Sequence, residues 1–106
     1  MDTKIRDTWI EALRSGKYKQ GNHHMRIEDS DGSLTYCCLG VLTDALGDWE
    51  GYEDYLGKVN VPIQCQETYA PAIAGLGWEE QVDFTIMNDK SLMSFEQIAT
   101  YIEEKY

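Results

Sequence analysis

The chain has 106 residues, of which 42% are hydrophobic, with a formal net charge of -10 and three cysteines. A chain of this length can bury a core without disulfide support, so we expect residues 1–106 to form one domain. The negative charge argues against a DNA or RNA polymer as partner, and an odd number of cysteines without a long apolar run predicts a cytoplasmic protein with no membrane partner.

An amphipathic helix is predicted near the start of the chain. It runs from about Thr3 to Ser15, and Gly16 follows as the residue that ends it. Its apolar face consists of Ile5, Trp9, Ala12 and Leu13. Residues 17–24 are polar and lack a helical period, so a loop with at most a short extended piece is predicted there.

A β-hairpin and a central helix are predicted next. Two alternating runs, 25–28 and 33–36, flank a turn cluster at 29–32, which is the pattern of a hairpin. The most apolar stretch of the chain, 36–46, follows directly. Its apolar residues have helical spacing, and Gly47 suits the position just past a helix end. We therefore expect a central helix on which the other elements pack.

The pattern is weaker in the second half of the chain. Residues 48–66 predict an acidic, aromatic loop and then an edge strand around 59–63, because Pro62 cannot donate a ladder hydrogen bond. Residues 71–78 predict one helical turn. For 82–87, a strand and a helical turn are equally favoured.

The last predicted element is a helix that runs to Tyr106. Ser94 and Gln97 have the spacing of a capping box, and apolar residues follow at helical intervals. The predicted fold class is therefore α+β, with three helices packed on a small, mainly antiparallel β-sheet in a single domain.

The charge of the chain is unevenly distributed. Residues 1–26 have six Lys or Arg against three Asp or Glu, a formal +3, so the rest of the chain has -13. Between Arg14 and Arg26, cations lie beside glycines, a tyrosine and amide side chains, which suits a phosphorylated nucleoside. The alternative is that cations after a helix C-terminus only stabilise the helix dipole.

The adjacent cysteines give an enzymatic alternative. If the central helix begins near Cys37, its dipole lowers the pKa of the thiol. His23 or His24 would then act as base, with Asn88 or Asp89 orienting the imidazole, as in a cysteine hydrolase. The competing interpretation is that cysteines in an apolar run are small core residues.

Metal sites are not favoured by the spacing of possible ligands. The histidines and cysteines include no pair at the separation usual for zinc, and the Asp29–Ser33 turn lacks the later ligands of a calcium loop. We therefore predict no metal and no cofactor.

An acidic patch supports a third class of function. It consists of Asp44, Asp48, Glu50, Glu53 and Asp54. Such a patch suits a protein-directed inhibitor that mimics DNA and blocks a host enzyme, and it is equally explained as an ordinary solvated loop.

Three segments together resemble a family of small phage and prophage proteins. They are W-I-E-A-L-R-S-G-K-Y-K-Q at 9–20, Y-C-C-L-G-V-L at 36–42, and M-N-D at 87–89 followed by S-F-E-Q-I-A at 94–99. The match covers roughly half of the chain in the family's order. It implies a phage origin, and it implies kinship with small inhibitors that disable host defence. One branch of those inhibitors sequesters nucleotide immune signals, including ADP-ribose-derived and cyclic nucleotides.

The combined prediction is a non-enzymatic binding protein that sequesters such a phosphorylated nucleotide in the host cytoplasm. Cations would meet the phosphates, a tyrosine would stack on the base, and polar residues of the matched segments would bind sugar or base edges. The predicted ligand-binding residues are Arg14, Lys17, Tyr18, Lys19, Gln20, Arg26, Tyr36, Asn88 and Asp89.

A homodimer or larger assembly is also predicted. A small pocket is easier to enclose between two copies, and exposed aromatic residues favour self-association. The tyrosines expected to be exposed are Tyr52, Tyr55, Tyr69, Tyr101 and Tyr106.

Overall fold

The fold combines helices with a small mixed β-sheet. The computed structural model describes residues 1–47, the backbone of 61–62, and residues 75–106. The elements in chain order are α1 (Thr3–Arg14), β1 (Lys19–Gln20), β2 (His24–Glu28), β3 (Leu34–Tyr36), α2 (Cys38–Ala45), β4 (Val61–Pro62), α3 (Trp78–Asp89) and α4 (Phe95–Lys105). None of these helices has both the length and the apolarity needed to span a bilayer.

The sheet is centred on the predicted hairpin. Its strand order is β1-β3-β2-β4, and β2 pairs antiparallel with β3, so that Ile27 lies opposite Thr35. β4 pairs antiparallel with β2 at one edge, which is where Pro62 is tolerated. At the other edge, the short strand β1 pairs parallel with β3. The hairpin and the edge strand are thus confirmed, and the sheet is mixed.

Helix α2 lies at the centre of the core, as predicted. Every residue from Cys38 to Thr43 is buried. A Cβ atom on Gly40 would lie 1.7 Å from the main-chain oxygen of Met25, so α2 and β2 touch backbone to backbone at this point. The indole of Trp9 in α1, which is fully buried, donates a hydrogen bond of 2.9 Å to the main-chain oxygen of Cys38.

Helix α3 corrects the predicted number of helices, since the described residues form four. Residues 82–87, where strand and helical turn were equally favoured, lie inside a helix of 12 residues. Its buried face consists of Phe84 and the polar residues Gln81 and Asn88, so the apolar residues alone show no helical period. The turn predicted at 71–78 and the loop predicted at 48–60 lie largely outside the described residues.

The C-terminal helix α4 is confirmed with its capping box, in which the Ser94 hydroxyl accepts a hydrogen bond from the Gln97 N–H. Tyr101 and Tyr106 were predicted to be exposed, and this is wrong. Both are half-buried, with ring centroids 5.7 and 6.3 Å from that of Phe84. Edge and face packing on a buried phenylalanine makes these rings part of the core. The other tyrosines predicted to be exposed, Tyr52, Tyr55 and Tyr69, lie outside the described residues.

The contact at Gly40 gives a stability prediction. We expect Gly40→Ala to destabilise the fold by about 3 kcal/mol or more, because a clash with backbone cannot be relieved by a change of rotamer. As control, Gly47→Ala meets no atom within 4 Å but has a φ of +65°, so it should cost only about 1–2 kcal/mol. Urea denaturation followed by circular dichroism measures both. Equal losses would show that α2 can move away from β2.

Candidate functional site

Three of the predicted ligand-binding residues meet at one polar cluster. Gln20 in β1 donates from Nε2 to Oδ1 of Asn88 at 2.9 Å and to the main-chain oxygen of Met93 at 2.7 Å. Asn88, which is 1% exposed near the end of α3, donates from Nδ2 to the Gly21 oxygen and to Oδ1 of Asp89, both at 2.8 Å. The first and last segments of the phage-like pattern are therefore joined by hydrogen bonds.

His23 extends this cluster toward solvent. Its main-chain N–H donates to Oδ1 of Asp89 at 3.1 Å, and its Nδ1 lies 3.5 Å from Oδ2 of the same carboxylate. The imidazole is 73% exposed, whereas the Asp89 side chain is 6% exposed. The backbone of His23 is left-handed, with φ of +67°. Asp89 thus holds the main chain of His23 and lies near its ring, where the hydrolase alternative places an orienting group.

A cavity of about 220 Å³ opens beside the cluster. Its walls are Gln20, Asn22, Asn88, Leu92 and Met93. Leu92 is 72% exposed and left-handed, with φ of +52°. Leu92 and Met93 were not predicted from the sequence. They lie in the turn between α3 and α4, and because the sequence pattern did not predict helix α3, it did not show where this turn begins. The left-handed backbone of Leu92 has no signal in the sequence.

The two tyrosines predicted to stack on a nucleobase contact each other. The rings of Tyr18 and Tyr36 are perpendicular, with centroids 5.0 Å apart, and the Tyr18 hydroxyl donates to Oδ2 of Asp44 at 2.6 Å. Burial, followed by the Asp44 bond, raises the pKa of Tyr18, and burial likewise raises that of Tyr36. The ammonium of Lys17 lies 5.5 Å from the Tyr18 ring centroid. Asp44, part of the predicted acidic patch, is therefore engaged within the fold.

The predicted phosphate-binding cations are not gathered at the cavity. Arg14 forms ion pairs with Glu96 at 3.0 Å and Glu103 at 2.8 Å, which tie α1 to α4. The hydrogen bond from Arg14 lowers the pKa of Glu103. Lys19 lies 3.5 Å from Asp29 of the hairpin turn. Among the described residues that line the cavity, none is Lys or Arg.

Arg26 of β2 lies within the sheet rather than at the cavity. It lies opposite Tyr36 in the β2–β3 pair, and its positive charge counteracts part of the burial effect on the pKa of that tyrosine. Arg26 is partly buried. Tyr36 lies opposite both Arg26 in β2 and Gln20 in β1, so these three predicted residues are neighbours across the sheet, but only Gln20 lines the cavity.

The cysteines have the setting of core residues. Cys37 and Cys38 are fully buried, and burial raises the pKa of Cys37 to about 12 and that of Cys38 well above its usual value. The Cys37 sulfur caps α2 by accepting from the Gly40 N–H at 3.4 Å. A thiol in this setting is not nucleophilic. In the described residues, no group of three or more His, Cys, Asp or Glu is placed to hold a metal ion, and Cys65 lies outside them.

Of the five residues of the predicted acidic patch, Asp44 alone lies in the described part of the chain. Asp48, Glu50, Glu53 and Asp54 lie outside the described residues. The protein-directed inhibitor therefore stays a prediction from the sequence.

Comparison with protein families identifies a domain that spans the first half of the chain. Residues 1–56 match the family described as "Domain of unknown function (DUF8296)". The chain belongs to this family. The DUF8296 match contains Gln20, Asn22 and His23, whereas Asn88 and Asp89 lie beyond it. The chain has no significant match among curated proteins or solved structures.

The buried thiols give a prediction about reactivity. Iodoacetamide should leave Cys37 and Cys38 unmodified in the native protein at mildly alkaline pH, because a raised pKa and burial leave little accessible thiolate. Both should react once urea unfolds the chain. Fragment-resolved mass spectrometry separates them from Cys65. Fast labelling of either thiol in the native protein would restore the hydrolase alternative.

The hydrogen bond between Gln20 and Asn88 gives a second prediction. A double-mutant cycle of Gln20→Ala and Asn88→Ala should show a coupling free energy of about 1 kcal/mol in urea denaturation, because each side chain loses a partner when the other is removed. The control pairs Asn88→Ala with Ser33→Ala, since the Ser33 hydroxyl donates to Asp31 within the hairpin turn. That pair should be additive. Additivity in both cycles would contradict the described cluster.

Proposed function

We propose that this protein is a non-catalytic binding protein that holds a small phosphorylated nucleotide and thereby sequesters it. The observation that carries the proposal is the cavity between β1 and the α3–α4 turn, in which amide groups lie beside the apolar side chains of Leu92 and Met93. A concave site with apolar walls and a few oriented polar groups is the usual form of a small-molecule site.

The cavity suits the nucleoside part of such a ligand. At about 220 Å³ it is smaller than the roughly 300–1,000 Å³ of sites that enclose a whole drug-sized molecule, so it has room for a base or a sugar only. The apolar side chains would cover the ring, and the amides would meet its polar edge. The phosphates would then lie outside the cavity.

Outside the cavity, one of the predicted cations keeps a role in the proposal. Lys17 is exposed on the segment that leads into the cavity wall at Gln20. Arg14 and Lys19 are assigned no role, because Arg14 is paired with two glutamates of α4 and Lys19 with Asp29 on the other face of β1. Arg26, Tyr18 and Tyr36 do not line the cavity and are assigned no contact with the ligand.

A role in sequestration rather than turnover is supported by the buried thiols and by the resemblance to small phage proteins. The DUF8296 chain would act in the host cytoplasm by lowering the free concentration of a nucleotide immune signal. We further propose that it does so as a homo-oligomer. Trp78 and Ile86, exposed by 58% and 40% on α3, provide apolar surface for a second copy.

A ligand panel tests the proposed function. AMP, GMP, ADP-ribose and cyclic dinucleotides are each added to the protein, and thermal unfolding is followed by fluorescence. A ligand present at a hundred times its dissociation constant should stabilise the fold by about 2.7 kcal/mol. The absence of stabilisation by every member of the panel would contradict the proposal.

A substitution at Leu92 then tests the location of the site. Leu92→Gly removes an apolar wall and relieves the left-handed backbone, so the fold should be retained while affinity falls by about tenfold. The control is Glu104→Ala, which removes an exposed side chain of α4 that lies neither in the cavity wall nor on the apolar surface of α3. Isothermal titration calorimetry gives both affinities. Unchanged binding by Leu92→Gly would place the ligand elsewhere.

A further inference from the structure

The hydrogen bonds of the cavity walls show which polar atoms remain for a ligand. Gln20 Nε2 has two hydrogens, and these are donated to Asn88 Oδ1 and the Met93 oxygen. Asn88 Nδ2 likewise donates to the Gly21 oxygen and to Asp89. Two of these acceptors are main-chain carbonyls, which cannot donate, so the orientation of both amides is fixed. The side-chain N–H groups of Gln20 and Asn88 are therefore all used within the protein.

The oxygens of the same walls are less fully used. Gln20 Oε1 accepts no hydrogen bond from the part of the chain that the structure describes. Asn88 Oδ1 and the Met93 oxygen each accept one bond from Gln20, and an amide oxygen has two lone pairs. The Asn22 side chain lies beside the main-chain oxygens of Gly21 and Asn88, and the amide orientation that satisfies both places its nitrogen 3.1 and 3.3 Å from them, which leaves its oxygen as an acceptor as well.

The charge beside the cavity is negative, and the unused oxygen lone pairs are also regions of negative charge. Asp89 accepts hydrogen bonds from Asn88 and from the His23 N–H, and its carboxylate lies next to the wall that Asn88 forms. A phosphate inside the cavity would meet acceptor oxygens and a nearby carboxylate, and both would repel it. A group that donates hydrogen bonds would meet the unused lone pairs.

We propose that the cavity selects ligands by an amino group with N–H donors, specifically the exocyclic amino group of a nucleobase such as adenine or cytosine. This inference rests on the proposed function, because it identifies which part of the nucleotide enters the cavity. A keto oxygen in the place of the amino group would face other acceptors and could not hydrogen-bond to them, and only the single N–H of the neighbouring ring nitrogen would remain as a donor. A site whose polar groups hydrogen-bond the correct ligand discriminates against an analogue that lacks the matching group, because the polar groups of the site are then left unpaired.

Two matched ligand pairs test the proposal on the wild-type protein. AMP and IMP differ at the 6-position, and CMP and UMP differ at the 4-position, by an amino group against an oxygen, and the adjacent ring nitrogen carries a hydrogen only in IMP and UMP. In each pair, calorimetry should show that the amino-bearing nucleotide binds at least about tenfold more tightly. Equal affinity within both pairs, or a preference for IMP and UMP, overturns the inference and leaves the proposed function intact. Failure of all four to bind overturns the inference, and the proposed function falls with it if ADP-ribose and the cyclic dinucleotides also give no stabilisation.

A pair of variants then tests whether the cavity is where amino-bearing and keto-bearing nucleotides are distinguished. Gln20→Met keeps the length of the side chain and removes the free oxygen, so the ratio of AMP to IMP affinity should fall toward one. Gln97→Met makes the same change at the cap of α4, outside the cavity, and should leave the ratio unchanged. An undiminished ratio in Gln20→Met overturns the assignment of the cavity. If circular dichroism shows that Gln20→Met does not fold, the wild-type ligand pairs decide.

An aliphatic diamine distinguishes a nucleobase from any other donor. Putrescine offers N–H groups and positive charge but no ring, so Leu92 and Met93 would have no flat surface to cover. It should not displace AMP in a competition titration. Displacement by putrescine at the concentration that AMP needs would overturn the assignment to a nucleobase.

Discussion

The close approach of α2 to β2 is the constraint on which the rest of the structure depends. Because Gly40 has no side chain, the helix lies against the main chain of Met25, and any larger residue would separate the two. This contact sets the depth at which Trp9 reaches the Cys38 carbonyl. A single glycine in the most apolar stretch thus fixes the distance between helix and sheet, and the outer elements pack on that unit.

The elements that the sequence predicts well are those whose local and tertiary signals agree. Helix α4 has a capping box and an apolar stripe that is buried in the structure, and the buried positions of α2 other than Thr43 hold no polar side chain. The hairpin has alternating strands and a turn cluster that includes Gly32, with φ of +85°. In each case the residues that favour the element locally are also those that pack it on the core.

Helix α3 was missed for a physical reason that also concerns the site. Its buried face includes Gln81 and Asn88, whose side chains satisfy main-chain carbonyls at 3.0 and 2.8 Å. A polar residue that is buried because it bonds the backbone is indistinguishable in sequence from one that faces water. The partners of Asn88 lie in β1 and the following turn, far away in the chain. Only the fold reveals that this helix face is internal.

The candidate site could be predicted only in part, for related reasons. Gln20, Asn88 and Asp89 were predicted to bind sugar or base edges because they are polar residues of the matched segments, and they do lie together. The distribution of charge along the sequence, by contrast, does not show on which face of a helix or strand a charged side chain lies. Neighbours in a strand point to opposite faces, so Lys19 lies by Asp29 while Gln20 lies by Asn88. Arg14 faces α4 because α1 packs there.

The backbone around the cavity gives the last reason to regard it as a built feature. His23 and Leu92 are the non-glycine residues of the described chain with positive φ, and they lie on the two segments that form the cavity walls. Such a backbone costs about 1–2 kcal/mol per residue, so other contacts must hold it. Asp89 holds the N–H of His23, and the Met93 N–H bonds the Met87 oxygen at 3.0 Å on the far side of Leu92. Because these bonds order the walls before any ligand arrives, little further ordering is needed on binding, and a site with few polar groups can still discriminate between ligands.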